Sequence, residues 1–180
     1  MATEVSRLVL PVGDRDHIAG LVDAPITLVE YGDYECPYCG RAFHIIREVQ
    51  ARLGPRLRFV FRHFPMSEVH PHAEAAAEAA EAAGAQGKFW AMHERLFTHQ
   101  RELDRDGLIR HAAEAGVDTD RMTRELADRI YQPRVREDFA TGVRSGVNGT
   151  PTFFIHGIRY DGFWDSAERL VDALTEASTE

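Results

Sequence analysis

The chain has 180 residues, 44% of them hydrophobic, with 21 Lys and Arg against 29 Asp and Glu and a net charge of −8. That length supports one domain with a proper core, or a core carrying a sizeable insertion. The acidic balance argues against nucleic acid or an anionic membrane as the main partner.

No stretch reaches the roughly 18 consecutive apolar residues of a membrane span, and Met1 to Arg7 has no basic region leading into an apolar run, so a soluble, cytoplasmic protein is expected. Cys36 and Cys39 alone cannot make a disulfide framework. An intracellular C-x-x-C beside strand and helix patterns reads as redox chemistry first.

Taken in order, Leu8-Val9-Leu10, closed by Pro11, is expected as an edge strand. The apolar run from Ile26 to Tyr31 reads as a core strand, and a polar corner then leads into Cys36-Pro37-Tyr38-Cys39. Proline has no N–H to donate and a φ already near the helical value, so Pro37 suits the first helical position and leaves Cys36 at the N-cap. Phe43, Ile46, Val49 and Leu53 continue at helical spacing until Gly54-Pro55 stops the pattern.

Positions i and i+3 at a helix start bring two sulfurs within bridging reach. The unpaired N–H groups and positive dipole end there favour a thiolate, so Cys36 should be the more acidic cysteine. Each unit of acidity stabilises the dithiol by about 1.4 kcal/mol, roughly 30 mV towards oxidising power. An acidic Cys36 therefore favours a disulfide donor.

Leu57 to Phe61, rich in aromatic and β-branched residues, completes a β-α-β unit. From Pro71 the sequence turns helical: Ala73 to Ala83; Phe89, Met92 and Leu96; Leu108, Ile109 and Ala112, ended by Gly116; Met122, Leu126 and Ile130; then Val135, Phe139 and Val143 after Pro133. These read as roughly four helices, with the Met and aromatic stripes assigned to packing. Thr152 to Ile155 returns to strand, His156-Gly157 reads as a hairpin turn into Ile158-Arg159-Tyr160, and a last helix buries Leu170, Val171 and Leu174 behind a capping box of Asp165 and Glu168.

The order β-α-β, helices, β-β-α, with Cys36-Pro37-Tyr38-Cys39 early and Gly149-Thr150-Pro151-Thr152 before the late hairpin, resembles the DsbA-like thiol:disulfide oxidoreductases of the thioredoxin superfamily. The resemblance implies an α/β thioredoxin-like fold, a central mixed β-sheet flanked by helices, with an inserted all-helical subdomain. It implies one domain over residues 1–180, the insertion occupying 67–146. Cys36 is then the nucleophile that forms a mixed disulfide with a protein or peptide thiol, and Cys39 resolves it. Pro37 and Tyr38 complete the active-site motif. Pro151 matches the family's cis-proline, where X-Pro statistics alone would say trans, and Thr150 precedes it in the substrate-binding loop, its hydroxyl close enough to tune Cys36. No organic cofactor is implied beyond the redox-active Cys36–Cys39 pair, which needs a redox-regenerating partner of unidentified nature.

Glu30 is a carboxylate inside an otherwise apolar strand. Burial there is costly unless the group is protonated, hydrated or partnered. Either it relays the Cys39 proton, as the family's acidic residue at the matching position does, or it reaches solvent or an N–H group at the strand end. Asp33 and Glu35 in the polar corner are expected to be solvated.

Other readings stand beside this one. One is a peptide- or zinc-binding module without turnover, in which the cysteines are incidental to peptide binding or hold zinc with His70 and His72, whose spacing is short for a zinc pair; otherwise these are solvated loop histidines. A glutathione-linked reductase or isomerase is the third reading, since Pro37-Tyr38 is also the glutaredoxin dipeptide.

Overall fold

A computed structural model describes residues 5–178; the expectations placed on Met1 to Glu4 and on the last two residues lie outside it. Five strands form one mixed sheet: β1 (His17–Ala19), β2 (Ile26–Gly32), β3 (Leu57–His63), β4 (Thr152–Ile155) and β5 (Ile158–Tyr160), in the order β1-β3-β2-β4-β5. β2 and β3 run parallel and the other pairs antiparallel. A parallel pair requires a crossover, which α1 (Pro37–Leu53) supplies. This is the thioredoxin-like arrangement.

β2 is buried along its whole length because both faces of the central strand are covered. On one side Leu28, Phe59 and Phe61 pack under α1, through Phe43, Ile46, Val49 and Leu53, and under α7 (Ala167–Glu176), through Leu170 and Leu174. On the other, Val29, Tyr31, Val60, Phe64 and Phe154 form a smaller core.

Between β3 and β4 lie five helices: α2 (Ala73–Gly84), α3 (Phe89–Thr98), α4 (Arg105–Glu114), α5 (Thr119–Ala127) and α6 (Gln132–Arg144). Roughly four were expected and five are present; the turn at Arg129, in left-handed backbone with φ 53°, separates α5 from α6. Its guanidinium hydrogen-bonds to the buried Glu78 of α2, which anchors the turn. Ile130 falls in that turn and is 54% exposed, and Phe139 and Val143 also face outward, so those parts of the expected buried stripes are surface.

Two further expectations are corrected. The edge strand is His17–Ala19, whereas Leu8 to Leu10 form no strand and Arg7 makes only an isolated bridge to Ile158. The Leu8 side chain packs against the smaller core while Val9 is exposed, and the Leu8 N–H is satisfied by the Gly157 carbonyl. At the last helix the N-cap is Ser166, whose hydroxyl accepts the Arg169 N–H. Asp165, one residue earlier, pairs with the Arg169 guanidinium instead.

Candidate active site

Strand β2 delivers the chain to the turn at Asp33–Cys36, and α1 departs from it with Cys36 at the N-cap and Pro37 in the first helical position. The turn's N–H groups need an acceptor, and Asp33 provides it. Its Oδ1 accepts from Glu35 N–H at 2.7 Å and Cys36 N–H at 3.2 Å, while Oδ2 accepts from Met66 N–H at 2.8 Å and lies 2.8 Å from His70 Nδ1. Asp33 is therefore buried, and Glu35 is held by the His72 N–H at 2.7 Å and ring at 3.0 Å. Both corner carboxylates were expected in solvent; the 65–72 loop folding back over the corner buries Asp33 and leaves the Glu35 side chain 19% exposed. The same contacts direct His70 and His72 at carboxylates, and among the described residues no group of three or more His, Cys, Asp and Glu is arranged to hold a metal ion.

Cys36 and Cys39 are both free thiols; Cys36 keeps 4% of its surface and Cys39 none. The Cys39 thiol hydrogen-bonds to the Cys36 sulfur, and this, more than any other contact, brings the Cys36 pKa down to about 5 against the opposing push of burial. The Thr150 hydroxyl and the N–H groups of Cys39 and Tyr38 add to it. The helix start thus acts through its N–H donors, but the neighbouring thiol is the larger influence. Cys39 moves the other way, held well above the usual thiol range by burial first, then by its bond to Cys36 and the charges of Glu30 and Cys36.

Opposite the sulfurs, Cys36 Sγ lies 3.5 Å from the Thr150 carbonyl oxygen, and the Thr150–Pro151 peptide bond is cis. Tyr38 stands 61% exposed beside them on α1.

Glu30 lies on β2 opposite Phe61 and Phe153, 2% exposed, so a carboxylate reaching solvent does not describe it. Its Oε1 has no hydrogen-bond partner among the described residues. Gly32 makes room for it: a Cβ there would meet the Phe61 ring at 2.5 Å and Glu30 Oε1 at 3.0 Å. Burial, reinforced by the charge on Cys36, raises the Glu30 pKa to about 8. The structure therefore gathers Glu30, Cys36, Pro37, Tyr38, Cys39, Thr150 and Pro151 at one end of the sheet.

Sequence reasoning missed three members of this neighbourhood, Tyr34, His93 and Gln100. The Tyr34 hydroxyl meets His93 Nδ1 at 2.9 Å inside the core, and Gln100 donates to the backbone at Tyr34 and Cys36. Glycine at position 40, inside a helix that would favour alanine, was the one trace of the second contact.

A family model described as "Thioredoxin" matches residues 13–173. The chain belongs to the thioredoxin family. Among solved structures, it superposes with TM-score 0.80 and 30% identity on a thioredoxin-like oxidoreductase from Silicibacter pomeroyi DSS-3, covering 92% of this chain and 93% of that one. With TM-score 0.79 and 21% identity it matches BdbD from Bacillus subtilis, covering 91% and 92%, and with the same score and 19% identity alpha-DsbA1 of Wolbachia pipientis, covering 96% of each chain. These neighbours are DsbA-like and share the thioredoxin fold with the helical insertion. Curated relatives carry a different name. The chain is 48% identical over 171 residues to Na(+)/H(+) antiporter NhaA 1 of Salinispora arenicola and 45% over 163 residues to Na(+)/H(+) antiporter NhaA of Herminiimonas arsenicoxydans, covering 94% and 91% of itself. It spans about a quarter of the length of these relatives, 26% and 25%. No helix among the described residues is long and apolar enough to cross a membrane.

Proposed function

We propose that this thioredoxin-family chain is a thiol-disulfide oxidoreductase acting on protein or peptide substrates through the Cys36–Cys39 pair. The observation that carries the reading is the split between the two thiols: one acidic and still 4% exposed, the other fully buried and held protonated, with a hydrogen bond between them. With a pKa of about 5, Cys36 is almost wholly thiolate at pH 7.

In the reducing direction the Cys36 thiolate attacks one sulfur of a substrate disulfide, forming a mixed disulfide and releasing the other sulfur as a thiolate that takes up a proton. Cys39 then loses its proton and attacks Cys36 Sγ. The Cys36–Cys39 bond forms, the mixed disulfide breaks, and the substrate has gained the two electrons the dithiol lost. The reverse sequence donates a disulfide. Cys39 needs a base for its step, and Glu30, which titrates near neutral pH with Oε1 free, is suited to take that proton and return it. The cis Thr150–Pro151 loop faces Cys36 and offers its backbone to an extended substrate. No organic cofactor enters the scheme.

The acidity of Cys36 stabilises the dithiol and so favours disulfide donation. We take the cytoplasm as the working compartment, where a reductive role would run against that preference. A redox partner must regenerate the pair in either direction, and turnover that depended on glutathione would identify that tripeptide as the regenerant.

The antiporter relatives support a second reading of the partner: this domain serves a Na(+)/H(+) antiporter, beside it or within the same polypeptide. One experiment tests both. Cys39→Ala should trap mixed disulfides that mass spectrometry can identify, and Cys36→Ala should abolish insulin reduction. Full activity in Cys36→Ala would exclude the mechanism, and trapped partners lacking any antiporter sequence would exclude the second reading.

A further inference from the structure

Gln100 lies in the turn after α3, within the helical insertion and 64 positions from Cys36. Its side-chain amide reaches the redox turn and donates to two backbone carbonyls, Tyr34 at 2.9 Å and Cys36 at 2.8 Å. The Cys36 carbonyl also accepts the Gly40 N–H at 3.0 Å, the first hydrogen bond of α1. Asp33 holds the N–H side of the same turn, so carboxylate and amide together clamp its backbone from both polarities.

Gly40 makes the approach possible. A Cβ at that position would stand 2.1 Å from Gln100 Oε1 and 2.8 Å from its Cδ, with side-chain atoms of no other residue among its nearest contacts. The backbone of Gly40 is ordinary helix, so the missing side chain, rather than glycine's conformational freedom, is what this position uses.

Resting on the thiol-exchange reading above, we propose that Gln100 is a positioning residue for the reaction: its amide fixes the Tyr34–Cys36 turn so that the N–H groups of Tyr38 and Cys39 remain aimed at Cys36 Sγ. Without it the Tyr34 and Cys36 carbonyls lose a donor each. The turn can then rotate, and the sulfur drifts from the helix start. A displacement of this kind weakens hydrogen bonds to the thiolate and misaligns the in-line attack on a disulfide.

The test compares the wild-type chain with Gln100→Ala, Gly40→Ala and the double variant. Two readouts are taken: the pH titration of ultraviolet thiolate absorbance, and the rate of reaction with 5,5′-dithiobis(2-nitrobenzoate). Gln100→Ala should raise the titration midpoint by about one unit and slow the reaction about tenfold. Gly40→Ala, whose methyl group displaces the amide, should do the same, and the double variant should match Gln100→Ala.

A wild-type titration in Gln100→Ala, or effects of the two substitutions that add, would overturn the proposal; so would a change in stability alone. Should Gln100→Ala not fold, Gln100→Glu keeps the side-chain volume and donates only while protonated. At pH 7, where that glutamate and Cys36 are both ionised, its reaction rate should lie about tenfold below wild type, and a wild-type rate there would count against the proposal. If the wild-type chain exchanges no disulfide with protein substrates, the thiol-exchange reading fails, while the thiolate titration still decides the role of Gln100.

Discussion

Two carboxylates are shut away on opposite faces of the sheet, and the protein treats them in opposite ways. On the face of the smaller core, Asp16 meets Arg62 through two bonds, Oδ1 to Nε at 2.9 Å and Oδ2 to a terminal nitrogen at 3.0 Å, and accepts the Gly13 N–H at 2.9 Å. Burial alone would raise its pKa; the guanidinium more than offsets that, and Asp16 stays below its ordinary range. Under α1, Glu30 has no such cation, and burial carries its pKa to about 8. A partnered carboxylate fixes geometry. An unpartnered one beside a thiol keeps a proton it can exchange near neutral pH.

The largest expected effect comes from breaking the partnered side. Arg62→Met leaves Asp16 buried without its cation and should cost about 3–5 kcal/mol in denaturant unfolding, while the Cys36 titration of the folded protein stays in place. On the other side, Glu30→Gln keeps the shape and removes the titration. It should slow the attack of Cys39 about 100-fold, read as a longer-lived mixed disulfide, with formation of that mixed disulfide unchanged.

Stability against pH sharpens the contrast further. Between about 4.5 and about 8 folded Glu30 holds a proton that the unfolded chain has lost, so stability falls as pH rises, by about 1.4 kcal/mol per unit. Cys36 has the opposite sign. Between about 5 and about 9 the unfolded thiol holds a proton that the folded thiolate lacks, so it contributes stability that grows with pH. Between about 6.5 and about 8, above the range in which His93, buried in its neutral form, adds an opposite slope, denaturation of the oxidised protein, which has no thiol to titrate, should therefore show the falling slope, and the reduced protein a nearly level one. Glu30→Gln should make the oxidised form level and the reduced form rise. The smallest effect belongs to Tyr31→Phe, which removes contacts to Thr141 Oγ1 at 3.0 Å and Arg62 at 3.1 Å and should cost about 1 kcal/mol in the same assay.

What could be read from the chain alone follows the range of each interaction. Pro37, the spacing of Phe43, Ile46, Val49 and Leu53, and Gly54 define α1 locally, and the structure has the same helix. His156-Gly157 likewise forms the turn of the hairpin, with both residues at positive φ. β1 was misplaced because three half-buried residues carry no periodicity, and its pairing with β3 lies some forty positions downstream, His17 opposite Phe61. At the site, the sulfurs and Glu30 were visible as residue types out of place in their surroundings. Asp33 and Gln100 were not, since each acts on backbone groups whose position exists only once the insertion has folded against the redox turn.

Cys36 and Cys39 should form a reversible two-electron couple biased towards the dithiol. Equilibration with glutathione redox buffers, followed by alkylation and mass spectrometry, measures it directly. An intrachain Cys36–Cys39 disulfide should form in a single two-electron transition, at a potential more oxidising than about −200 mV. An intrachain bond that never forms at any buffer ratio, or one that forms only at potentials below about −270 mV, would contradict it.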